Sequence, residues 1–194
     1  MSFVSPRKPV SRIAASHERR QLDLRAPLLF RGYHSSVPTE EQPAVHVRHG
    51  EFKDAVTIAA YNIHMAMETE KKRLDPYAVS GGVKAVIDDP AKGTYFVADV
   101  NGRMIGQLLI TYEWSDWRNG NVWWVQSVYV HPDFRKAGVL RALMDRVVEE
   151  AKKAEAVLVR LYVETENAVA QAAYEKLGLA KVSYAVMEMA VPKG

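Results

Sequence analysis

The run "TYFVADVNGRMIGQLLITYEW", Thr94 to Trp114, constrains the fold more than any other stretch of the chain. Two segments rich in β-branched and aromatic residues flank Asn101-Gly102. Both central positions of a tight two-residue hairpin need positive φ, which this pair supplies. Thr94–Val100 and Arg103–Tyr112 are therefore predicted as antiparallel strands. "NVWWVQSVYVHP" follows as a third strand, long and aromatic.

Helical periods surround this β unit. Phe52, Val56, Ala59, Ala60, Ile63 and Met67 recur at three- and four-residue spacing, the mark of an amphipathic helix of about four turns. Asp75-Pro76 reads as a cap and first-turn proline opening a second helix to about Ile87, thinned or bent at Gly81-Gly82. After the third strand, a helix from about Gly138 to Lys153 carries Val139, Leu140, Leu143, Val147 and Ala151 on its inner face. "AVLVRLYVE" predicts a strand buried on both faces. A short helix over Ala168–Lys176 ends at Leu177-Gly178, and a last strand is expected over Val182–Met189. This order predicts an α/β (α+β) domain with a mixed sheet and helices on its faces.

Residues 1–42 differ from the rest. They are rich in proline, serine and arginine and show no sustained hydrophobic period, so they bury too little to offset their ordering entropy. Residues 1–36 hold seven basic and two acidic side chains, so this segment carries +5 of a net +3 and the remaining 158 residues carry −2. The pI near 9.0 thus describes a tail, and the expected folded domain, residues 43–194, has no general basic character that would favour nucleic acid. Arginine- and serine-rich, acid-poor segments are typical of organellar transit peptides, and "RGYHSS" at Arg31–Ser36 is similar to a mitochondrial processing site. The expected location is cytoplasmic or mitochondrial.

No apolar run approaches the roughly 20 residues that span a bilayer, so no membrane helix is expected. Cysteine is absent, which removes disulfides, thiolate metal sites and a cysteine nucleophile. His46 and His49 form an H-x-x-H pair without companion ligands, and no metal site is assigned.

The stretch with chemical promise is Arg135-Lys136-Ala137-Gly138, at the mouth of the helix "VLRALMDRVVEEA". The first N–H groups of a helix lack intrahelical partners, and its dipole adds partial positive charge there. A glycine without Cβ lets an anion approach, and Arg135 and Lys136 can add direct charge. Taken alone, the pattern fits a phosphate cradle or a basic loop facing solvent. It is neither G-x-x-x-x-G-K-[ST] nor G-x-G-x-x-G, which disfavours a P-loop triphosphatase or a Rossmann dehydrogenase.

In its wider setting, "VQSVYVHPDFRKAGVLRALMDRVVEEA" resembles the acetyl-CoA-binding motif of the GNAT superfamily of acyl-CoA N-acyltransferases. There, a strand of the form hydrophobic-x-V-x-P leads into Q/R-x-x-G-x-G/A and a helix. Val128-Tyr129-Val130 with Pro132, then Arg135 to Leu140, follow that order. "NAVAQAAYEKLGL" supplies the family's later asparagine, tyrosine and Leu-Gly as Asn167, Tyr174, Leu177 and Gly178. The resemblance covers about residues 44–190. It departs at Leu140, where the family usually has a small residue.

The resemblance implies a mixed, mostly antiparallel twisted sheet flanked by helices, with splayed central strands holding acetyl-CoA. It implies that Val128, Tyr129 and Val130 bond the pantetheine arm as an added strand. The amides of Lys136, Ala137, Gly138, Val139 and Leu140 would hold the pyrophosphate, aided by Arg135, and Asn167 would bond the arm. Tyr174 would protonate the departing thiolate. An amine acceptor, with a pKa of about 10.4, must lose a proton before attacking. Glu113 is the favoured base, since relatives often place a glutamate in this part of the sheet, and Asp116 is the neighbouring alternative. Glu68, Glu70 and Glu113 are candidates for an amine-attracting mouth, and Trp114, Trp117, Trp123, Trp124 and Tyr112 for pocket walls, with Trp124 assigned to core packing. The expected activity is acetyl transfer to a small-molecule or peptide amine by a monomer or homodimer, without metal. The alternative is an acyl-CoA-binding regulatory module that has lost turnover.

Overall fold

The computed structural model describes residues 44–192. The basic N-terminal segment lies outside the described residues. Strands β1 (His46–His49), β2 (Thr94–Val100), β3 (Arg103–Ser115), β4 (Gly120–Val130) and β5 (Leu158–Leu161) form one sheet in chain order. All neighbours are antiparallel except β4 and β5. Helices α1 (Ala55–Glu70) and α2 (Pro76–Asp88) precede β2, α3 (Val139–Lys153) makes the β4–β5 crossover, and α4 (Ala168–Glu175) follows β5.

The hairpin forms as predicted, with Asn101 at φ 52° and Gly102 at φ 77°. Asp75 caps α2 by accepting from the Tyr77 amide at 3.0 Å, and Pro76 fills the first turn. Two apolar clusters sandwich the sheet. On one face, Leu143, Met144 and Val147 of α3 pack against Phe96, Ile105, Leu108 and Ile110. On the other, Ile58, Ala59 and Tyr61 of α1 and Val83 of α2 pack against Val97, Leu109 and Tyr129.

Four expectations need correction. The buried face of α1 is Ala55, Ile58, Ala59, Tyr61, Asn62 and Ala66, while Phe52 and Val56 face solvent. The helix is rotated from the apolar stripe because Asn62 goes inside, donating to the Tyr95 hydroxyl and accepting from Gln107 at 2.7 Å. Once paired, a buried amide costs little, so hydrophobicity alone misplaces the face.

The strand expected to be buried on both faces shortens to the half-buried β5, because only Val122–Val125 of β4 pair with it. The last strand does not form. Val182, Tyr184, Val186, Met187 and Met189 are exposed, and residues 182–189 do not pair with the sheet. β-rich composition reflects fit to a pleated neighbour, and without one it does not make a strand. Finally, His46 and His49 lie in an unanticipated strand, where His49 Nε2 meets Glu150 at 2.7 Å and His46 lies 3.5 Å from Asp99.

Candidate active site

The site starts from an irregularity in β4. Gln107 is opposite Tyr129 and Leu109 opposite Gln126, so Ser127 and Val128 together face one residue of β3. This is a β-bulge, and Ser127 holds φ 50°, a left-handed conformation rare for serine. The parallel pairing of β4 with β5 stops at Val125 and Leu161, immediately before the bulge. Among the described residues, Gln126–Val130 therefore have no strand on that side. An edge of this kind presents unpaired N–H and C=O groups to an extended ligand. Val128 and Val130 turn their side chains to the α3 cluster, and Tyr129 turns to the α1 cluster, so their own side chains do not cover that edge, although Arg135 Nε donates to the Val130 carbonyl at 2.9 Å.

Beyond Val130, a 3-10 turn over Pro132–Phe134 delivers the chain to Arg135–Gly138 and then α3. Lys136 and Gly138 have φ 66° and 81°. Glycine is favoured at 138 by conformation, since other residues pay about 1–2 kcal/mol for a left-handed backbone. A Cβ built there would have no atom within 4 Å, so space lies open in front of the loop. The amides of Lys136, Ala137 and Gly138 have no acceptor among the described residues, and those of Val139 and Leu140 lie in the first turn of α3. Leu140 packs against the α3 cluster, so this departure from the motif adds to the core rather than filling the loop.

Asn167 caps α4, its side-chain oxygen accepting from the Ala170 amide at 3.0 Å, which leaves its amide hydrogens to donate. Tyr174 follows two turns later. Burial pushes its hydroxyl above the usual tyrosine range, so it stays protonated and can donate. Glycine at 178, φ 93°, ends the helix as expected, with the Leu179 amide returning to the Tyr174 carbonyl.

The carboxylates are rearranged relative to the expectation. Glu113 lies within β3, and its Oε2 accepts from Trp124 Nε1 at 2.5 Å while Oε1 lies 3.6 Å from Arg160 Nη1. Trp124 stacks on Tyr162, centroids 4.5 Å apart, and carries the Arg160 guanidinium 5.6 Å from its ring centre. Trp124 therefore belongs to this polar and aromatic cluster, while Trp123 is the buried core tryptophan. A cavity of about 350 Å³ opens beside the cluster, lined by Glu113, Trp114, Asp116, Trp117, Arg118 and Arg160, among others. Asp116 accepts from the Trp117 amide in the β3–β4 turn. Glu68 pairs with Arg135 at 2.7 Å and lines a different cavity from Glu113.

Ser127, Arg160 and Tyr162 escaped the sequence reading. A serine in a left-handed bulge carries no compositional signal, and the other two gain meaning only once β5 is set beside β4. Among the described residues, no group of three or more histidine and carboxylate side chains is placed to hold a metal, and no helix is long and apolar enough to cross a membrane.

The architecture is thus a mixed sheet whose bulged, half-open central strand runs into a glycine-initiated helix. The Acetyltransferase (GNAT) family profile matches residues 58–179, and the chain belongs to that family. A crystal structure described as a possible acetyltransferase from Clostridium difficile 630 is 41% identical, with a TM-score of 0.72, covering 77% of this chain and 99% of that one. A predicted acetyltransferase from Clostridium acetobutylicum, its structure determined with acetyl-CoA, shares the fold at 16% identity and TM-score 0.64, over 75% of this chain and 96% of that one. An uncharacterised N-acetyltransferase of Methanocaldococcus jannaschii is 35% identical over 85 residues. That match spans 43% of this chain and 38% of the relative.

Proposed function

We propose that the protein is an acetyl-CoA-dependent N-acetyltransferase in which a primary amine attacks the thioester directly. The observation that carries this reading is the open edge of β4 at Gln126–Val130, continuous with the unpartnered amides before α3. The edge offers hydrogen bonds to an amide-bearing arm, and the loop offers oriented N–H donors and open space to a pyrophosphate. Acetyl-CoA supplies an activated acyl group on a thiol leaving group.

In this reading, Val128–Val130 bond the arm through their backbone, the amides of 136–140 hold the phosphates, and Asn167 donates to the arm. The acyl end then lies at the Ser127 bulge, toward the Glu113–Trp124 face. Glu113 takes the proton lost by the attacking nitrogen as the N–C bond forms. Trp124 and Arg160 orient its carboxylate but leave lone pairs open. As the C–S bond breaks, Tyr174 supplies the sulfur's proton. With ordinary values of about 10 for tyrosine and 8.5 for a thiol, full transfer is uphill by roughly 2 kcal/mol. The raised Tyr174 hydroxyl steepens that slope, so it acts first as a hydrogen-bond donor to the developing thiolate.

The acceptor is a small-molecule or peptide amine admitted from the cavity beside Glu113. The test is thiol release from acetyl-CoA across a panel of amines. Turnover on at least one amine is expected. Tight acetyl-CoA binding with no thiol release on any of them would favour a regulatory binding module.

A further inference from the structure

Arg135 opens the loop whose amides are proposed to hold the pyrophosphate, yet its side chain is engaged elsewhere. Its Nη2 donates to Glu68 Oε2 at 2.7 Å, its Nε donates to the Val130 carbonyl at 2.9 Å, and its guanidinium lies 5.6 Å from the Tyr129 ring centre. Glu68 lies near the end of α1, 67 residues away in sequence, and the Tyr129 hydroxyl also reaches it at 3.4 Å. Each partner of Arg135 resembles a piece of the proposed ligand. Glu68 presents an anionic oxygen as a phosphate would, and Val130 is one of the edge residues set for the arm.

Two roles fit such a contact, and they predict opposite signs. A pin that ties α1 to the loop would support the cradle. A counter-ion that occupies Arg135 would compete with the ligand for it. Exposure decides between them. The two side chains are 45% and 42% exposed, and pairs this solvated contribute little to stability. The loop meanwhile already has its own turn bonds, Phe134 amide to His131 and Arg135 amide to Pro132. A weak pair on a self-supporting loop is a poor pin, but it is still a cost to any phosphate that recruits the guanidinium.

On the reading of this loop as an acetyl-CoA cradle, we propose that Glu68 is a positioning residue that holds Arg135 off the cradle until phosphate displaces it. Capture of the cofactor then frees Glu68 beside Tyr129, so the end of α1 is coupled to occupancy of the cradle.

Calorimetric titration of the full chain tests this. Glu68→Gln should tighten acetyl-CoA binding about two- to fivefold. The gain should vanish in an Arg135→Gln background, and it should be absent with acetyl-pantetheine, which lacks the pyrophosphate. Unchanged or weaker acetyl-CoA binding by Glu68→Gln overturns the proposal, as does an equal gain with acetyl-pantetheine or without Arg135. If the unaltered protein does not bind acetyl-CoA at all, the underlying reading of the cradle fails as well, and the two failures are told apart.

Discussion

The proposed cradle, Gln126 to Leu140, and the proposed acceptor wall, Glu113 with Trp124, Arg160 and Tyr162, share strand β4 but are built differently. The cradle is made of backbone: a strand edge without a neighbouring strand, three left-handed residues and the first amides of a helix. It lies within one continuous stretch of chain. The wall is made of side chains from three strands, brought together by register, with Thr111 opposite Trp124 and Trp124 beside Arg160. Backbone devices tolerate substitution of most of their side chains, whereas side-chain devices do not. Chemistry shared by a family can therefore rest on the first, while the choice of acceptor rests on the second.

Substitutions can break this contrast. The largest expected effect is at Tyr174, a side chain whose chemistry the backbone cannot replace. Tyr174→Phe should lower kcat by about 10²-fold or more, while acetyl-CoA affinity changes little. Turnover that survives undiminished would remove Tyr174 from the mechanism.

Within the cradle, Gly138→Val should weaken acetyl-CoA binding by roughly 10- to 100-fold, because a β-branched residue cannot hold φ 81° and the amides would turn away. A Cβ there meets nothing within 4 Å, so the melting temperature should fall only slightly. Lys136→Ala should cost a few-fold at most. An equal loss at both positions would show that side-chain charge, not backbone direction, holds the phosphates.

The same contrast explains what could be read from sequence. The Asn101-Gly102 hairpin, the Asp75-Pro76 cap and the glycines at 138 and 178 were legible because each residue type answers a local backbone demand. Glu113 was legible as a carboxylate at the end of the hairpin strand, but its contacts with Trp124 and Arg160 are set by strand pairing. The rotation of α1 was hidden because Asn62 is buried by bonds to Tyr95 and Gln107, residues more than 30 positions away. The absent final strand fails for a related reason, since Val182–Met189 has the composition of a strand, and composition does not decide whether a segment pairs with the sheet.

On the wall, Trp124→Phe keeps an aromatic ring on Tyr162 but removes the hydrogen bond to Glu113. Reduced kcat/KM for the amine, by about three- to tenfold, is expected with acetyl-CoA affinity unchanged, as befits one lost orienting bond. If cofactor affinity falls instead, the wall and the cradle are not separable.

The smallest effect is on stability in alkali, and it sets the core beneath the cradle against Tyr174 beside it. Burial raises the hydroxyls of Tyr61, Tyr95, Tyr129 and Tyr174 above the usual tyrosine value. Below pH 10 these groups are protonated in both folded and unfolded chains, and folding is not linked to pH through them. As pH rises past 10, the unfolded chain ionises first and gains free energy that the folded chain does not, so stability must fall until the folded groups ionise too. Tyr95 is 5% exposed, and the bond from Asn62 offsets only part of the effect of burial, while Tyr174 is only half-buried in the short α4. Tyr95→Phe should therefore blunt the loss of melting temperature between pH 10 and 11 by more than Tyr174→Phe does, each by a few degrees at most. The reverse order would mean that α4 is packed as tightly as the sheet core, and that Tyr174 lacks the freedom to reach a sulfur at the bulge.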